Sequence, residues 1–298
     1  MASVTLEKPS WRDLGIEWLP VVVGLLALYV PTFYGLAMDL WQVDDYAHGP
    51  IILAVVIWLI WDRREVLYAE TSKASPGAGI PLIVAGLLLY VLGRSQEISF
   101  LEVGALIPIL AGVLLAMRGA QRVGAMWFAL LFIVYLVPLP GSFIDSATQP
   151  LKQEVSKLAE QILYTFGYPI ARNGVILTIG QYQLMVADAC SGINSMFSLS
   201  AVGLLYLYLM RRPSLLHNAI VLASLIPIAF CANVVRVMFL VLVTYHFGDE
   251  AGQGFLHKFS GMVLFIVALL SVLLLDKMLS RIGGGQRKSD RHSARSNF

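Results

Sequence analysis

Long apolar runs recur along most of this sequence, and they constrain the fold more than any other feature. Several approach the roughly 20 residues that a helix needs to cross a bilayer. Only 13% of the 298 residues are charged, whereas a soluble domain carries about a quarter. The sequence therefore predicts an all-α polytopic membrane protein whose surroundings are a lipid bilayer and which has no nucleic-acid partner.

The apolar runs predict about eight transmembrane helices in a single membrane domain, residues 1–298. A cytoplasmic N-terminus, 1–17, would precede spans one to five in 18–140. Spans six to eight, in 190–280, would precede a basic, disordered tail at 281–298. The individual spans are expected at 18–38, 47–61, 79–93, 98–117, 123–137, 190–210, 215–246 and 257–279.

The basic residues predict the orientation of these spans. Alternate loops and the two ends of the chain hold most of the 21 lysines and arginines, including the pairs Arg63–Arg64 and Arg211–Arg212. Cytoplasmic loops are enriched in lysine and arginine. We therefore expect both termini in the cytoplasm, which also requires an even number of spans.

One large segment, residues 141–189, should lie outside the spans on the outer face. Its first half is typical of an amphipathic helix, which either rests on the membrane surface or packs over the helices. Polar side chains such as Lys152 occupy the positions between the apolar ones. The apolar positions recur at three- and four-residue steps and comprise Leu151, Val155, Leu158, Ile162 and Leu163.

The second half of this outer segment predicts a β-hairpin. The β-prone runs "VILTI" and "YQLMV" are joined by Gly180 and Gln181. Unpaired strand edges can bind an extended peptide by adding a strand. Either run is therefore a candidate docking edge for an extended peptide.

Charged residues inside spans are functional candidates by default. Arg236 lies in the run "NVVRVMFLVLV", and Asn233, three residues earlier, shares its helix face. About ten residues, or roughly 15 Å, separate Arg236 from the outer end of its span, so we expect it deep in the membrane. The structural alternative is an arginine paired with Asp188 or with backbone carbonyls.

The two cysteines and one histidine need separate interpretations. Cys190 opens a predicted helix, whose N-terminal dipole stabilises a thiolate; the alternative is a small residue at a helix cap. Cys231 lies mid-span among apolar residues, where we expect an inert, packed thiol. His257 opens the last span, and a histidine there can also be a simple interfacial residue.

The predicted topology brings three of these groups to one side of the membrane. Cys190, Arg236 and His257 lie on three successive spans and all towards the outer face. A thiol, a cation and an imidazole there predict a catalytic site for acyl transfer. Two cysteines form neither a disulfide framework nor a metal cluster, so no cofactor and no metal are expected.

Four stretches resemble one family in order along the chain. "ACSGINSMFSL", "NVVRV" and "GFLHKFSGMVLF", with "WQVDDYAHGPII" near the start, resemble the exosortase/archaeosortase family of membrane cysteine transpeptidases. "YHFGDEAGQGFLH" looks similar to the exosortase B branch. The resemblance covers most of the chain, from Trp41 to Leu275.

The resemblance implies a cysteine peptidase or transpeptidase in a bacterial inner membrane, with its active site facing the periplasm. Its partners would be the C-terminal tails of exported proteins, which carry a PEP-CTERM sorting signal, and its activity would accompany exopolysaccharide production. The acceptor of the acyl group stays open between water, a lipid and a sugar.

The resemblance also implies a catalytic trio of Cys190, Arg236 and His257. Cys190 would form an acyl-thioester, Arg236 would stabilise the oxyanion, and His257 would transfer protons. Asp188, Asn194 and Asn233 are expected to support the trio.

Two other functions are compatible with the residues. A polytopic transporter would use Arg236 to bind its substrate, and a different membrane acyl enzyme would use Cys190 and His257 on lipids or within spans. His48, in the first outer loop, is either structural or close to the site.

Overall fold

The computed structural model describes residues 11–43, 46–65, 73–185, 192–210, 214–248, 259, 262–263 and 265–281. The chain divides into two compact units, Met1–Pro140 and Gly141–Phe298. The boundary coincides with the end of the predicted fifth span. That the two units act as one membrane domain stays a prediction.

The described residues of the first unit form helices and short turns. Two short breaks, after Gly104 and after Ala125, divide predicted spans four and five into shorter helices. A 3-10 turn at Leu40–Gln42 follows the first helix, and another, Ile133–Leu136, follows the seventh. The helices are α1 (Trp11–Met38), α2 (Gly49–Asp62), α3 (Pro76–Ser95), α4 (Ser99–Gly104), α5 (Leu106–Arg118), α6 (Ala120–Ala125) and α7 (Trp127–Phe132).

Helices α3 and α5 approach each other closely because α3 carries glycines at seven-residue intervals. A Cβ atom placed on Gly79 would lie 2.5 Å from the backbone nitrogen of Ala116, and one on Gly86 would lie 2.7 Å from Ile109 Cγ1. Small residues at such positions let transmembrane helices pack backbone to backbone. The glycine spacing therefore explains the tight pairing of these two helices.

A buried carboxylate links three helices of the first unit. Thr32 Oγ1 on α1 donates a hydrogen bond of 2.5 Å to Glu102 Oε1 on α4, and Arg94 Nη1 on α3 donates one of 3.0 Å to the same oxygen. Tyr90 Oη donates to the Leu28 carbonyl at 2.7 Å and lies 3.1 Å from Thr32 Oγ1. Glu102 is only 7% exposed, so these donors replace the water that its carboxylate lacks.

The second unit combines long helices with a small antiparallel sheet of order β1-β2-β3. In chain order its elements are α8 (Gly141–Thr165), β1 (Ile170–Asn173), β2 (Ile176–Ile179), β3 (Tyr182–Met185), α9 (Gly192–Met210) and α10 (Leu215–Phe247). Residues 265–281 form a further helix, α11.

The sheet contains the predicted hairpin and one further strand. β2 and β3 pair across the Gly180–Gln181 turn, with Ile179 opposite Tyr182, and Gly180 has the positive φ that such a turn favours. β1 pairs with the other side of β2. The prediction that "VILTI" offers a free edge is therefore wrong, because β2 is the central strand. The outer strands of this sheet are β1 and β3.

Helix α8 packs against protein, as one of the two sequence-based alternatives proposed. Val155, Ala159 and Leu163 are almost fully buried in an apolar cluster with the sheet and α10. Lys152, expected on the polar face, is instead buried, and its Nζ donates a 3.0 Å hydrogen bond to Asp145 Oδ1. The charged end of Lys152 thus reaches the exposed carboxylate while its methylene chain packs below the surface.

The predicted fold class of an all-α polytopic membrane protein with a small additional helix and sheet is confirmed. Among the described residues, four helical segments are long and apolar enough to span a membrane: Glu17–Gln42, Pro76–Ser95, Ser99–Arg118 and Leu215–Phe247. Gly49–Asp62, Trp127–Leu136 and Phe197–Met210 are shorter apolar helices. The total of eight spans stays a prediction.

Candidate active site

Helix α10 carries the two predicted site residues whose side chains the structure describes. Its 33 residues correspond to ~50 Å, longer than the ~30 Å hydrocarbon core of a bilayer. Val234, Val237, Leu240 and Val241 pack with the sheet and α8, so the C-terminal half of α10 is covered by these elements.

The depth of Arg236 in the membrane stays a prediction, and the length of α10 gives its scale. From Leu215 to Arg236 the helix rises ~32 Å, about the thickness of the hydrocarbon core. If Leu215 lies at one boundary of that core, Arg236 lies near the other, where the sheet begins. Arg236 lies between the part of α10 that packs with α9 and α11 and the part that packs with α8 and the sheet.

Asn233 and Arg236 occupy the buried face of α10, as their three-residue spacing predicts. Each is 6% exposed. Ala229, one turn before Asn233, belongs to an apolar cluster with α9 and α11, whereas Val237 belongs to the cluster with α8 and the sheet. The two polar side chains thus lie where the two apolar clusters of this unit meet.

Cys231 lies on a different face of the same helix. It is a free, exposed thiol, and Val235 and Phe239, at four-residue steps from it, are 47% and 41% exposed. The expectation of a packed thiol is therefore wrong. Helical periodicity explains the difference, since positions 231, 235 and 239 share a face that Asn233 and Arg236 do not.

The remaining predicted site residues are positioned by sequence alone. Cys190, Asp188 and His257 lie outside the described residues, and Asn194 lies in the first turn of α9 with only its backbone described. Strand β3 ends at Met185 and α9 begins at Gly192. Cys190 is thus two residues before a 19-residue helix.

The stretch around His48 has a structural explanation of its own. Tyr46 Oη donates a 3.0 Å hydrogen bond to the carbonyl of Leu139. The Trp41 indole fills the space that a side chain at Gly49 would need, which accounts for glycine after the histidine. His48 is half-buried immediately before α2.

Sequence reasoning missed a buried carboxylate in the second unit. Asp276 on α11 is 2% exposed. It accepts a 2.8 Å hydrogen bond from Tyr206 Oη on α9, and His217 Nε2 on α10 lies 2.7 Å from its other oxygen. Its position in the apolar run "SVLLLDKM" was the available signal, because an acid at the edge of a span needs partners.

The match to a family model decides the identity of the chain. The transmembrane exosortase model (Exosortase_EpsH) matches residues 41–274. The chain belongs to this family. No curated protein and no solved structure matched it.

Exosortase membership establishes the coarse function. The chain is a multi-pass membrane transpeptidase of the exosortase type, and its substrates are proteins. The matched region contains all six predicted site residues, from Asp188 to His257. Within the part of the chain that the structure describes, no group of three or more histidine, cysteine or acidic side chains is arranged to hold a metal.

Proposed function

We propose that this exosortase is a cysteine peptidase or transpeptidase that cleaves the C-terminal sorting signal, of PEP-CTERM type, from exported proteins. The observation that carries the proposal is the family match over residues 41–274, which spans Cys190, Arg236 and His257. The proposed location is the bacterial inner membrane, with both termini in the cytoplasm, the site facing the periplasm and an associated role in exopolysaccharide production.

Cys190 is the proposed nucleophile. Its sulfur attacks the scissile carbonyl, the peptide C–N bond breaks, and the exported protein remains bound as an acyl-thioester. The nearby N-terminus of α9 supports this role, since free N–H groups and the helix dipole favour the thiolate.

Arg236 and His257 divide the remaining chemistry. Arginine stays protonated in proteins, so Arg236 suits stabilisation of the thiolate and of the tetrahedral oxyanion rather than proton transfer. Its burial on α10 supports this role, because charge stabilisation strengthens where water is excluded. His257 gives a proton to the leaving amine and then takes one from the acceptor as the acceptor attacks the thioester carbonyl. The C–S bond breaks, and the Cys190 thiolate leaves.

Asp188, Asn194 and Asn233 are proposed to orient the trio. Asn233 shares the buried face of α10 with Arg236, so its amide can contact the same substrate groups. Asp188 and Asn194 flank the nucleophile in sequence, two residues before it and four residues after it.

Two single substitutions test the central role of Cys190. Because the chain has two cysteines, Cys231→Ala is a matched control on an exposed face. We expect Cys190→Ala to abolish processing of tailed proteins in the host, since no acyl-thioester can form, and Cys231→Ala to process at the wild-type rate. Mass spectrometry of trapped enzyme should find the substrate acyl group on Cys190.

The same pair of variants separates this function from its alternatives. Normal processing by Cys190→Ala would rule out the covalent mechanism and favour a transporter that binds its substrate at Arg236. If the acyl group found on Cys190 came from a lipid rather than from a protein, the chain would be a different acyl enzyme.

Strand β3 is the proposed docking edge for the sorting motif. Its partner on one side is β2, and it leads within five residues to Cys190. An extended peptide added to β3 would thus run towards the nucleophile. A photocrosslinker at the exposed Gln183 should capture substrate, whereas one at the exposed Asn173 on β1 should not. Equal capture at both positions, or capture at Asn173 alone, would contradict docking on β3.

A further inference from the structure

Tyr206, His217 and Asp276 form a polar cluster that joins the three helices of the predicted catalytic region. Tyr206 lies on α9, His217 in the first turn of α10 and Asp276 on α11. Both oxygens of the Asp276 carboxylate are engaged, Oδ2 by Tyr206 and Oδ1 by His217. We call these three residues the Asp276 clamp.

The clamp is far in sequence from the residues proposed to act in catalysis. Tyr206 follows Cys190 by 16 residues, Arg236 follows His217 by 19, and Asp276 follows His257 by 19. On α10 that separation is ~28 Å. The same three segments of chain therefore carry the clamp at one end and the catalytic trio at the other.

An apolar cluster connects the two ends. Leu199 of α9, Val221 and Leu225 of α10, and Val272 of α11 are almost fully buried in one cluster, and in sequence they lie on the catalytic side of the clamp residues. Such side chains hold helices together without specifying one rotation or tilt, because apolar contacts are not directional. Hydrogen bonds to a carboxylate are directional and require one arrangement.

A small change in helix angle at the clamp produces a larger displacement at the far end of the helix. A tilt of about 2° over ~28 Å moves the far end by about 1 Å. A misplacement of about 1 Å can reduce a catalysed rate about a hundredfold. A device that fixes the helix angles at one end is therefore able to control the chemistry at the other.

The clamp also has the composition that such a device needs. The side chains of His217 and Asp276 are 12% and 3% exposed, so water does not compete for the carboxylate. His217 is itself anchored at the start of α10, where its backbone N–H donates to the Ser214 side chain at 3.3 Å. The α10 end of the clamp is thus held by a helix cap as well as by Asp276.

We propose that Asp276 is a positioning residue of this enzyme: through Tyr206 and His217 it fixes the relative angles of α9, α10 and α11, and thereby aligns Cys190, Arg236 and His257. The inference rests on the proposed function. It assigns Asp276 no contact with the substrate.

The test uses full-length enzyme in the Cys231→Ala background, where Cys190 is the remaining thiol. For Asp276→Leu, which removes both hydrogen bonds, we expect kcat for tail cleavage to fall at least about tenfold, with KM within about twofold of its original value. The alkylation rate of Cys190 by a small maleimide should change at least about threefold, because the thiol loses its alignment with the α9 N-terminus and Arg236. Both rates are measured on monodisperse protein below its melting temperature.

Two further variants separate positioning from stability. The exchange of both partners, His217→Asp with Asp276→His, restores the α10–α11 pair and should recover most of kcat and the original alkylation rate. Glu102→Leu removes the buried carboxylate of the other unit, and it should leave Cys190 alkylation unchanged.

Several results would overturn the proposal. A lowered melting temperature with unchanged kcat and alkylation rate would show that the clamp only stabilises the fold, and an equal effect of Glu102→Leu would show that it is not specific. If Asp276→Leu yields no folded enzyme, Tyr206→Phe and His217→Asn carry the same measurements, and unchanged values in both would also overturn it. Normal processing by Cys190→Ala would instead refute the proposed function, while the alkylation rates would still report on the clamp.

Discussion

The two units each bury a carboxylate among apolar helices, but they bind it in different ways. Glu102 receives hydrogen bonds from Thr32 and from Arg94, both on Oε1, and the Arg94 side chain is 54% exposed. Asp276 uses one oxygen for Tyr206 and the other for His217, and all three residues are at least half-buried. Both carboxylates are buried between three helices, but the first pairs with a half-exposed arginine, whereas both partners of the second are mostly buried.

The helices of the two units also pack in different ways. In the Met1–Pro140 unit, α3 and α5 touch through glycines, so their backbones define the contact. In the Gly141–Phe298 unit, α10 packs through large side chains such as Leu225 and Leu240. Close backbone contact fixes the geometry of the first pair of helices by itself, while the second unit needs directional polar contacts to do so.

The largest expected effect concerns the glycine contact. Gly79→Val should destabilise the first unit by about 3 kcal/mol, because its Cβ would lie 2.5 Å from the Ala116 backbone and the helices must separate. Thermal unfolding in detergent measures the change. Gly24→Val on α1 is the matched control, since nothing lies within 4 Å of a Cβ there; a similar loss from both variants would mean that valine itself, rather than the contact, is responsible.

The next largest expected effect is a difference in unfolding free energy between amide variants of the two carboxylates. Asp276→Asn should cost about 2 kcal/mol, because an amide offers one acceptor oxygen and leaves either Tyr206 or His217 without its buried partner. Glu102→Gln should cost less than about 1 kcal/mol, since one amide oxygen can accept from both Thr32 and Arg94, and the ion pair that it loses is half-exposed.

The unfolding free energies of Asp276→Asn and Glu102→Gln, measured in the same detergent, test this difference. Equal losses would indicate that the charge, and not the number of engaged oxygens, determines the contribution of each carboxylate. A larger loss for Glu102→Gln would reverse the contrast between the two units.

Most of the helices were predictable from the sequence, and the reason is periodicity and length. The predicted span at 18–38 lies within α1, and the predicted end at 246 differs from the end of α10 by one residue. Strand β1 was missed because "IARN" is short and polar, and it becomes a strand only through pairing with β2.

The candidate site was only partly predictable from the sequence. The three-residue spacing of Asn233 and Arg236 predicted a shared face, and both are buried on α10. The interior position expected of Cys231 was wrong, because hydropathy does not tell which face of an apolar helix meets the protein. His217 and Tyr206 gave no sequence signal, since neither is unusual at a helix end.

The sequence by itself determined the class of the protein, its family and the nucleophile that we propose, because these depend on local composition and on motifs in a fixed order. Only the tertiary structure decided which face of α10 is buried, which strand has a free edge and where Asp276 finds its partners. Those features depend on contacts such as that between His217 and Asp276, 59 residues apart. Local patterns do not encode such contacts, because they form only when the helices pack.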